Sequence, residues 1–146
     1  MIALRHFDFN DVSILKKRAY ANMSENKIKE MISEWNKFTH NGRYFESFAA
    51  VENGEVIGSF FLVEHENGRI SIGPEVFSPF RKKGYAYIAM KMLLALAAEK
   101  GYKEAEGEVR IENAASIALH NKLGYKIEKE FINKHGNKMY LFAKKL

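Results

Sequence analysis

Two Asn-Gly dipeptides, Asn53-Gly54 and Asn67-Gly68, cut residues 46–77 into three strand-like runs, and few folds admit that arrangement. Asn and Gly tolerate the positive φ of tight hairpin turns, so "ESFAAVENGEVIGSFFLVEHENGRISIGPEVF" predicts three consecutive antiparallel strands. Directly after them comes "SPFRKKGYAYIAM", in which Arg81, Lys82, Lys83 and Gly84 precede an almost wholly apolar run. Residues 86–98 carry a single charge, Lys91, which predicts a helix with most of its surface buried and Gly101 at its end.

The flanking segments extend this pattern. "IALRHF" (2–7) alternates as a short strand, and Asp8 or Asn10 can cap a helix running towards Asn22. "SENKIKEMISEWNKF" sets Ile28, Met31, Ile32 and Trp35 on one helical face. After the apolar helix, "KEAEGEVRI" reads as a strand, and Asn113 caps a helix through Lys122 that Gly124 ends. "YKIEKEF" and "KMYLFAKKL" flank His135-Gly136-Asn137 as a last strand pair. The order β-α-α-β-β-β-α-β-α-β-β predicts an α/β sandwich, one domain over 1–146, with strands of mixed direction in one central sheet flanked by helices.

Composition narrows the function classes. The chain has no cysteine, which excludes disulfides and thiolate metal sites. No segment approaches the ~20 apolar residues that a membrane span needs, and the N-terminus is too mixed for a secretory signal, so the cytoplasm is the expected compartment. The net charge of +5 suits nucleic acid, lipid or a small polyanion, but a lysine-rich soluble surface accounts for it equally.

The junction at residues 81–86 is more specific. A helix starting near Lys83 leaves the amides of Lys82 to Ala86 without intrahelical acceptors, and the macrodipole adds partial positive charge. Gly84 permits close approach of a phosphate, and Ala86 keeps the first turn clear. Neither the phosphate-loop pattern G-x-x-x-x-G-K-[ST] nor a dinucleotide fingerprint is present. The strand before the junction contains Gly73-Pro74, and Pro74 cannot donate to a ladder, so a bulge or break in pairing is expected there.

"VFSPFRKKGYAYIAMKML", followed after one strand by "NAASIALHNKLGY", resembles the two signature segments of the Gcn5-related N-acetyltransferase (GNAT) superfamily, closely over residues 69–125. The resemblance implies a GNAT-like fold and an acetyl-CoA-dependent transferase acting on an amine. It implies that Arg81, Lys82, Lys83, Gly84, Tyr85 and Ala86 wrap the cofactor's pyrophosphate, and that the strand around Val76 and Phe77 pairs with its pantetheine arm. It also implies a cofactor contact for Asn113. Homodimers are common in the superfamily.

Acyl transfer from a thioester to an amine needs a neutral amine, donors for the developing oxyanion and a proton for the leaving thiolate. Asn113, Ser116 and His120 share one helical face, so they can share one cleft. His120 stands where most of the family carries a tyrosine that protonates the departing sulfur; a histidine can fill that role, or it can pack and bond a backbone carbonyl. "GEVRIEN" resembles the corresponding strand of ribosomal-protein N-terminal alanine acetyltransferases, where a glutamate at the place of Glu108 is the proposed general base. Its alternation also fits a solvated face. Glu75, beside the expected interruption, is the second candidate base, or a surface glutamate at a strand edge. Trp35, Phe38, Tyr44 and Phe45 are candidates for an acceptor pocket, although Trp35 and Phe38 also suit a core. The alternatives to an N-acetyltransferase are an inactive acetyl-CoA-binding sensor of the same fold and, third, a nucleic-acid-binding module.

Overall fold

The computed structural model describes residues 1–146. Its strands are β1 (Ala3–Arg5), β2 (Thr39–His40), β3 (Arg43–Glu52), β4 (Glu55–Glu64), β5 (Ile70–Val76), β6 (Glu104–Arg110), β7 (Lys126–Ile132) and β8 (Lys138–Lys145). The helices are α1 (Val12–Arg18), α2 (Glu25–Trp35), α3 (Tyr85–Glu99) and α4 (Ala114–Lys122). The sheet order is β1-β3-β4-β5-β6-β8-β7, with β2 paired to β3. All neighbours are antiparallel except β5 and β6, so the expected mixed sheet is present, with β2 as an unforeseen short addition.

Local chemistry explains the boundaries. Asn53 and Gly54 both adopt positive φ, 51° and 77°, which is the hairpin turn their sequence favours. Ser24 caps α2 by accepting from the Lys27 amide at 3.2 Å, and Asn113 caps α4 by accepting from Ser116 N–H at 3.1 Å. The first helix is shorter than expected. Asp8 caps a 3₁₀ turn at Phe9–Asp11 in a reciprocal box with Asp11, and α1 follows only to Arg18.

Two apolar layers lie on opposite faces of the sheet. On one, Ala89, Met90, Leu93, Leu94 and Ala97 of α3 pack against Phe60, Leu62, Ile70 and Ile72. Their spacing is one helical stripe, and each large buried side chain contributes about 1.5–3 kcal/mol. On the other, Val12, Leu15, Ile28, Ile32 and Trp35 of α1 and α2 cover Ala49 and Phe77. The expectation that α3 would be mostly buried is corrected by its outer face, where Ile88 and Met92 are exposed. A helix lying on one side of a sheet has only one stripe to bury. No helix is long and apolar enough to cross a membrane.

Candidate active site

β5 and β6 are neighbours that pair at one position only, Ile70 opposite Ala105. The Ser71 hydroxyl donates to the Glu106 carbonyl at 2.8 Å, and beyond that bond the two parallel strands part. Arg69 pins the closed end by donating to Glu128 at 2.9 and 2.7 Å and to Glu104 at 3.1 Å. These bonds hold the Arg69 pKa above the usual guanidinium range and pull Glu128 below the carboxylate range.

Strand alternation decides which backbone groups line the gap. Phe77 N–H donates to the Ile57 carbonyl at 2.9 Å, so odd-numbered residues of this strand bond β4 and even-numbered ones turn towards β6. Val76 therefore presents its N–H to the gap. Pro74 also faces it, and costs β4 no ladder bond. The register with β4 runs unshifted from Gly58 opposite Val76 to Glu64 opposite Ile70, so the expected interruption is a break towards β6 and not a bulge. Gly58 makes this possible: a Cβ there would collide with the Glu75 carbonyl oxygen and lie 3.2 Å from the Val76 Cα. Phe77 is a correction to the expected cofactor edge. Its ring is buried under α1 and α2, its amide is committed to Ile57, and its carbonyl accepts from Phe80 N–H at 2.8 Å.

At the open end of the gap the backbone amides of Lys82 to Tyr87 make no hydrogen bond within the protein; the first helical bond runs from Ile88 to the Gly84 carbonyl. Gly84 caps α3 with φ 81° and no side chain, and Lys82 also has positive φ, 64°. Successive amides thereby converge into an anion cradle. Arg81 Nε donates to the Val76 carbonyl at 2.9 Å, which ties the loop to the strand edge. Arg81, Lys82 and Lys83 are exposed and join no ion pair. Tyr85 and Ala86 are half-buried, and Tyr85 packs on the core beneath the cradle.

Glu75 and Glu108 point to the same face of the sheet. A Cβ on Gly73 would touch the Phe61 ring, which itself meets Trp35, so Gly73 and hence Glu75 point towards α1 and α2. Ala105 and Val109 belong to the α3 layer, so Glu108 between them points the opposite way, to the same side as Glu75. Neither carboxylate is in an ion pair. The Tyr20 hydroxyl, which the sequence did not single out, is pushed above its ordinary pKa by burial and then by the Glu75 charge.

His120 lies on the other face. It is 6% exposed, its ring is 4.9 Å from that of Tyr125 and 5.2 Å from that of Phe142, and Nδ1 donates to the Ser116 carbonyl at 2.8 Å. Burial pushes its pKa below the usual imidazole range, against the opposing pull of that bond. Ser116 is half-buried on the first turn of α4, its hydroxyl 3.4 Å from His120 Nδ1. Of the four candidates for an acceptor pocket, Trp35 and Phe45 are on the α1/α2 face with Phe61. Tyr44 is on the α3 side, bonded to Glu46, and Phe38 is exposed against the His6 ring.

The unpaired amides of Lys82 to Tyr87 thus stand at the mouth of a cleft that is edged by the unpaired strand at Val76. The acetyltransferase (GNAT) domain model matches residues 3–126, and the chain belongs to that family. It is accordingly an acetyl-CoA-dependent N-acyltransferase by class. Comparison with curated protein sequences found no match. Among solved structures, the chain is similar to an acetyl transferase from Salmonella typhimurium that modifies the N-terminal serine of ribosomal protein L7/L12, with a TM-score of 0.80 and 16% identity over 99% of this chain and 95% of that one. It is similar to RimJ of Mycobacterium smegmatis in complex with CoA-disulfide, with a TM-score of 0.83 and 19% identity over 99% and 81%. A spermidine N-acetyltransferase chimera of Vibrio cholerae SpeG and hSSAT gives 0.78 and 16% over 98% and 95%.

Proposed function

We propose that the protein transfers the acetyl group of acetyl-CoA to a primary amine by direct attack, with Glu108 as the base that receives the amine proton. The observation that carries this reading is the parting of β5 from β6, with free amides at its mouth and an unpaired carboxylate on each side. When bound, acetyl-CoA supplies an acyl carbon activated as a thioester. The amides of Lys82 to Tyr87 and the cations of Arg81, Lys82 and Lys83 hold the diphosphate, and Val76 N–H bonds the pantetheine arm. Asn113 and Ser116 border that arm from α4.

The amine enters from the α1/α2 face, where Glu108 is exposed and Glu75 is half-buried. Glu75, beside Tyr20, holds the incoming ammonium, and Glu108 takes one proton from it to give the neutral amine; that nitrogen bonds to the acyl carbon as the carbon–sulfur bond breaks, and its second proton passes through water to the departing thiolate. His120 supports a packing role: its Nδ1 proton is committed to Ser116, and a neutral ring has no second proton to give. The departing thiolate needs no dedicated acid, because a thiol with an ordinary pKa of about 8.5 leaves readily and is protonated by water. The unpaired carboxylates favour an enzyme over a binding-only sensor. A small amine, an amino acid and a protein N-terminus all present the required nitrogen, and the structural neighbours span a protein N-terminus and spermidine.

The test is a thermal midpoint with and without acetyl-CoA, followed by coenzyme A release across amines and peptides. Saturable stabilisation and amine-dependent release are expected. Absence of any shift at millimolar acetyl-CoA would overturn the reading.

A further inference from the structure

Tyr87 stands where the first turn of α3 meets α4. Its amide is the last of the unpaired donors in the cradle. Its ring carries two ammonium groups: Lys122 Nζ of α4 lies 4.2 Å from the ring centroid, and Lys91 Nζ of α3 lies 5.9 Å from it. Neither lysine joins an ion pair. Residues 76–98 and 113–127, which include the starts of both helices, contain no Asp or Glu.

An ammonium above an aromatic face is held by the ring quadrupole and keeps N–H groups free for another partner. The phenol adds one more donor. Two ammonium groups from two helices thus share one aromatic ring and, with its hydroxyl, have no carboxylate partner. This cluster is separate from the amide cradle. It lies about one helical turn, roughly 5 Å, beyond the residue that caps α3.

Coenzyme A carries two separate anionic groups, a diphosphate and a 3′-phosphate on its ribose, and the second is a monoester with close to two negative charges. We propose that Lys122, Lys91 and the Tyr87 hydroxyl bind the 3′-phosphate, so that the protein discriminates against acyl carriers that lack it. This rests on the reading that the amides of residues 82–87 hold the diphosphate. Tyr87, whose amide ends that run of donors, is also the residue that meets Lys122 of α4. Lysines suit this task because an ammonium serves a phosphate as a point charge without demanding a fixed plane.

The experiment is calorimetric titration of the full chain, at one fixed ionic strength, with coenzyme A and with 3′-dephospho-coenzyme A. The wild type is expected to bind coenzyme A at least about tenfold more tightly, as charge-assisted bonds to a phosphate allow. Lys91→Gln/Lys122→Gln should lower coenzyme A affinity to the dephospho level and leave dephospho affinity unchanged; Tyr87→Phe should do so in part. Equal wild-type affinity for both ligands overturns the inference, and so does a double variant that weakens both equally, since that pattern means diffuse attraction. A wild type that binds neither ligand instead removes the cradle reading on which the inference stands. All three substitutions are at surface or half-buried positions that retain the helices, and a circular dichroism spectrum checks this.

Discussion

The His120 imidazole fills the space that a side chain on Gly107 would occupy: a Cβ there would sit 2.9 Å from Nε2. Gly107→Ala should therefore destabilise the fold by about 1–3 kcal/mol through overpacking, and His120→Ala by about 2–4 kcal/mol through the cavity left between Tyr125 and Phe142. The double variant should lose less than the sum, because the added methyl enters the vacated space. Denaturant melts of the four proteins measure the coupling. Strict additivity would show that the two residues do not share that space.

His120 should titrate below the ordinary imidazole range, since burial disfavours its charged form more than the bond to Ser116 favours it. The folded state then binds its proton less readily than the unfolded chain does. The contribution of neutral His120 is whole above the unfolded value of about 6.5 and declines as pH falls from there to the lower folded value. NMR titration of the imidazole protons reads the midpoint directly, and His120→Gln should flatten the corresponding part of the Tm profile. A His120 midpoint at or above the ordinary imidazole value of about 6.5 would contradict the buried, neutral placement.

These placements show what a sequence can and cannot express. Asn53-Gly54 and Asn113 act on neighbours within a few residues, so the hairpin and the α4 cap were legible. The i, i+3, i+7 spacing correctly grouped Asn113, Ser116 and His120 on one side of α4. It carried no information on whether the inner end of that side meets the cleft or the sheet, and His120 meets the sheet. Adjacent Tyr44 and Phe45 point to opposite faces, as alternation requires, so they could not both line one pocket. The closed end of the β5/β6 gap is held by Arg69 reaching Glu128, a contact between residues far apart in the chain that no local pattern encodes.

Gly58 should not tolerate a methyl group. It faces the Glu75 carbonyl and Val76 Cα across β4 and β5, and backbone on the partner strand cannot rotate aside as a side chain can. Gly58→Ala should push the Glu75–Val76 segment towards the cleft and weaken acetyl-CoA binding, with a stability loss of about 1–3 kcal/mol. Gly73→Ala is the control: its neighbour is the Phe61 side chain at 3.3 Å, which can yield. Equal effects of the two on cofactor affinity would show that the β5 edge is not what Gly58 protects.

Gly84→Ala tests the cradle through the backbone. At φ 81° an alanine pays a conformational penalty of about 1 kcal/mol, and relaxation of that angle would turn the amides of Lys83 to Tyr85 away from their point of convergence. Lys82→Ala/Lys83→Ala removes charge and, because the Arg81 bond to the Val76 carbonyl is kept, leaves the amides in place. Both variants should reduce the thermal shift produced by acetyl-CoA. Only the charge variant should reduce the salt dependence of binding, because its loss is of screened attraction. Calorimetry at two ionic strengths separates them, and an unchanged shift in both variants would place the diphosphate elsewhere.

The two carboxylates should divide by kinetic effect. Glu108 is exposed on β6 and free of any ion pair, so Glu108→Gln keeps the side chain's shape and removes only its capacity to accept a proton. Turnover should fall roughly 100-fold or more, within the range for loss of a general base, while acetyl-CoA affinity and the KM for the amine change little. Glu75 is half-buried, and after burial itself its charge helps to raise the pKa of Tyr20, so it acts on whatever cation enters beneath α1 and α2. Glu75→Gln should raise the amine KM more than it lowers kcat, the pattern of lost binding common to ground and transition states. Initial rates over a grid of amine concentrations measure both constants once an acceptor is found. If Glu75→Gln instead abolishes kcat and Glu108→Gln affects only KM, the proton passes to β5 and the assignment of the two strands is exchanged.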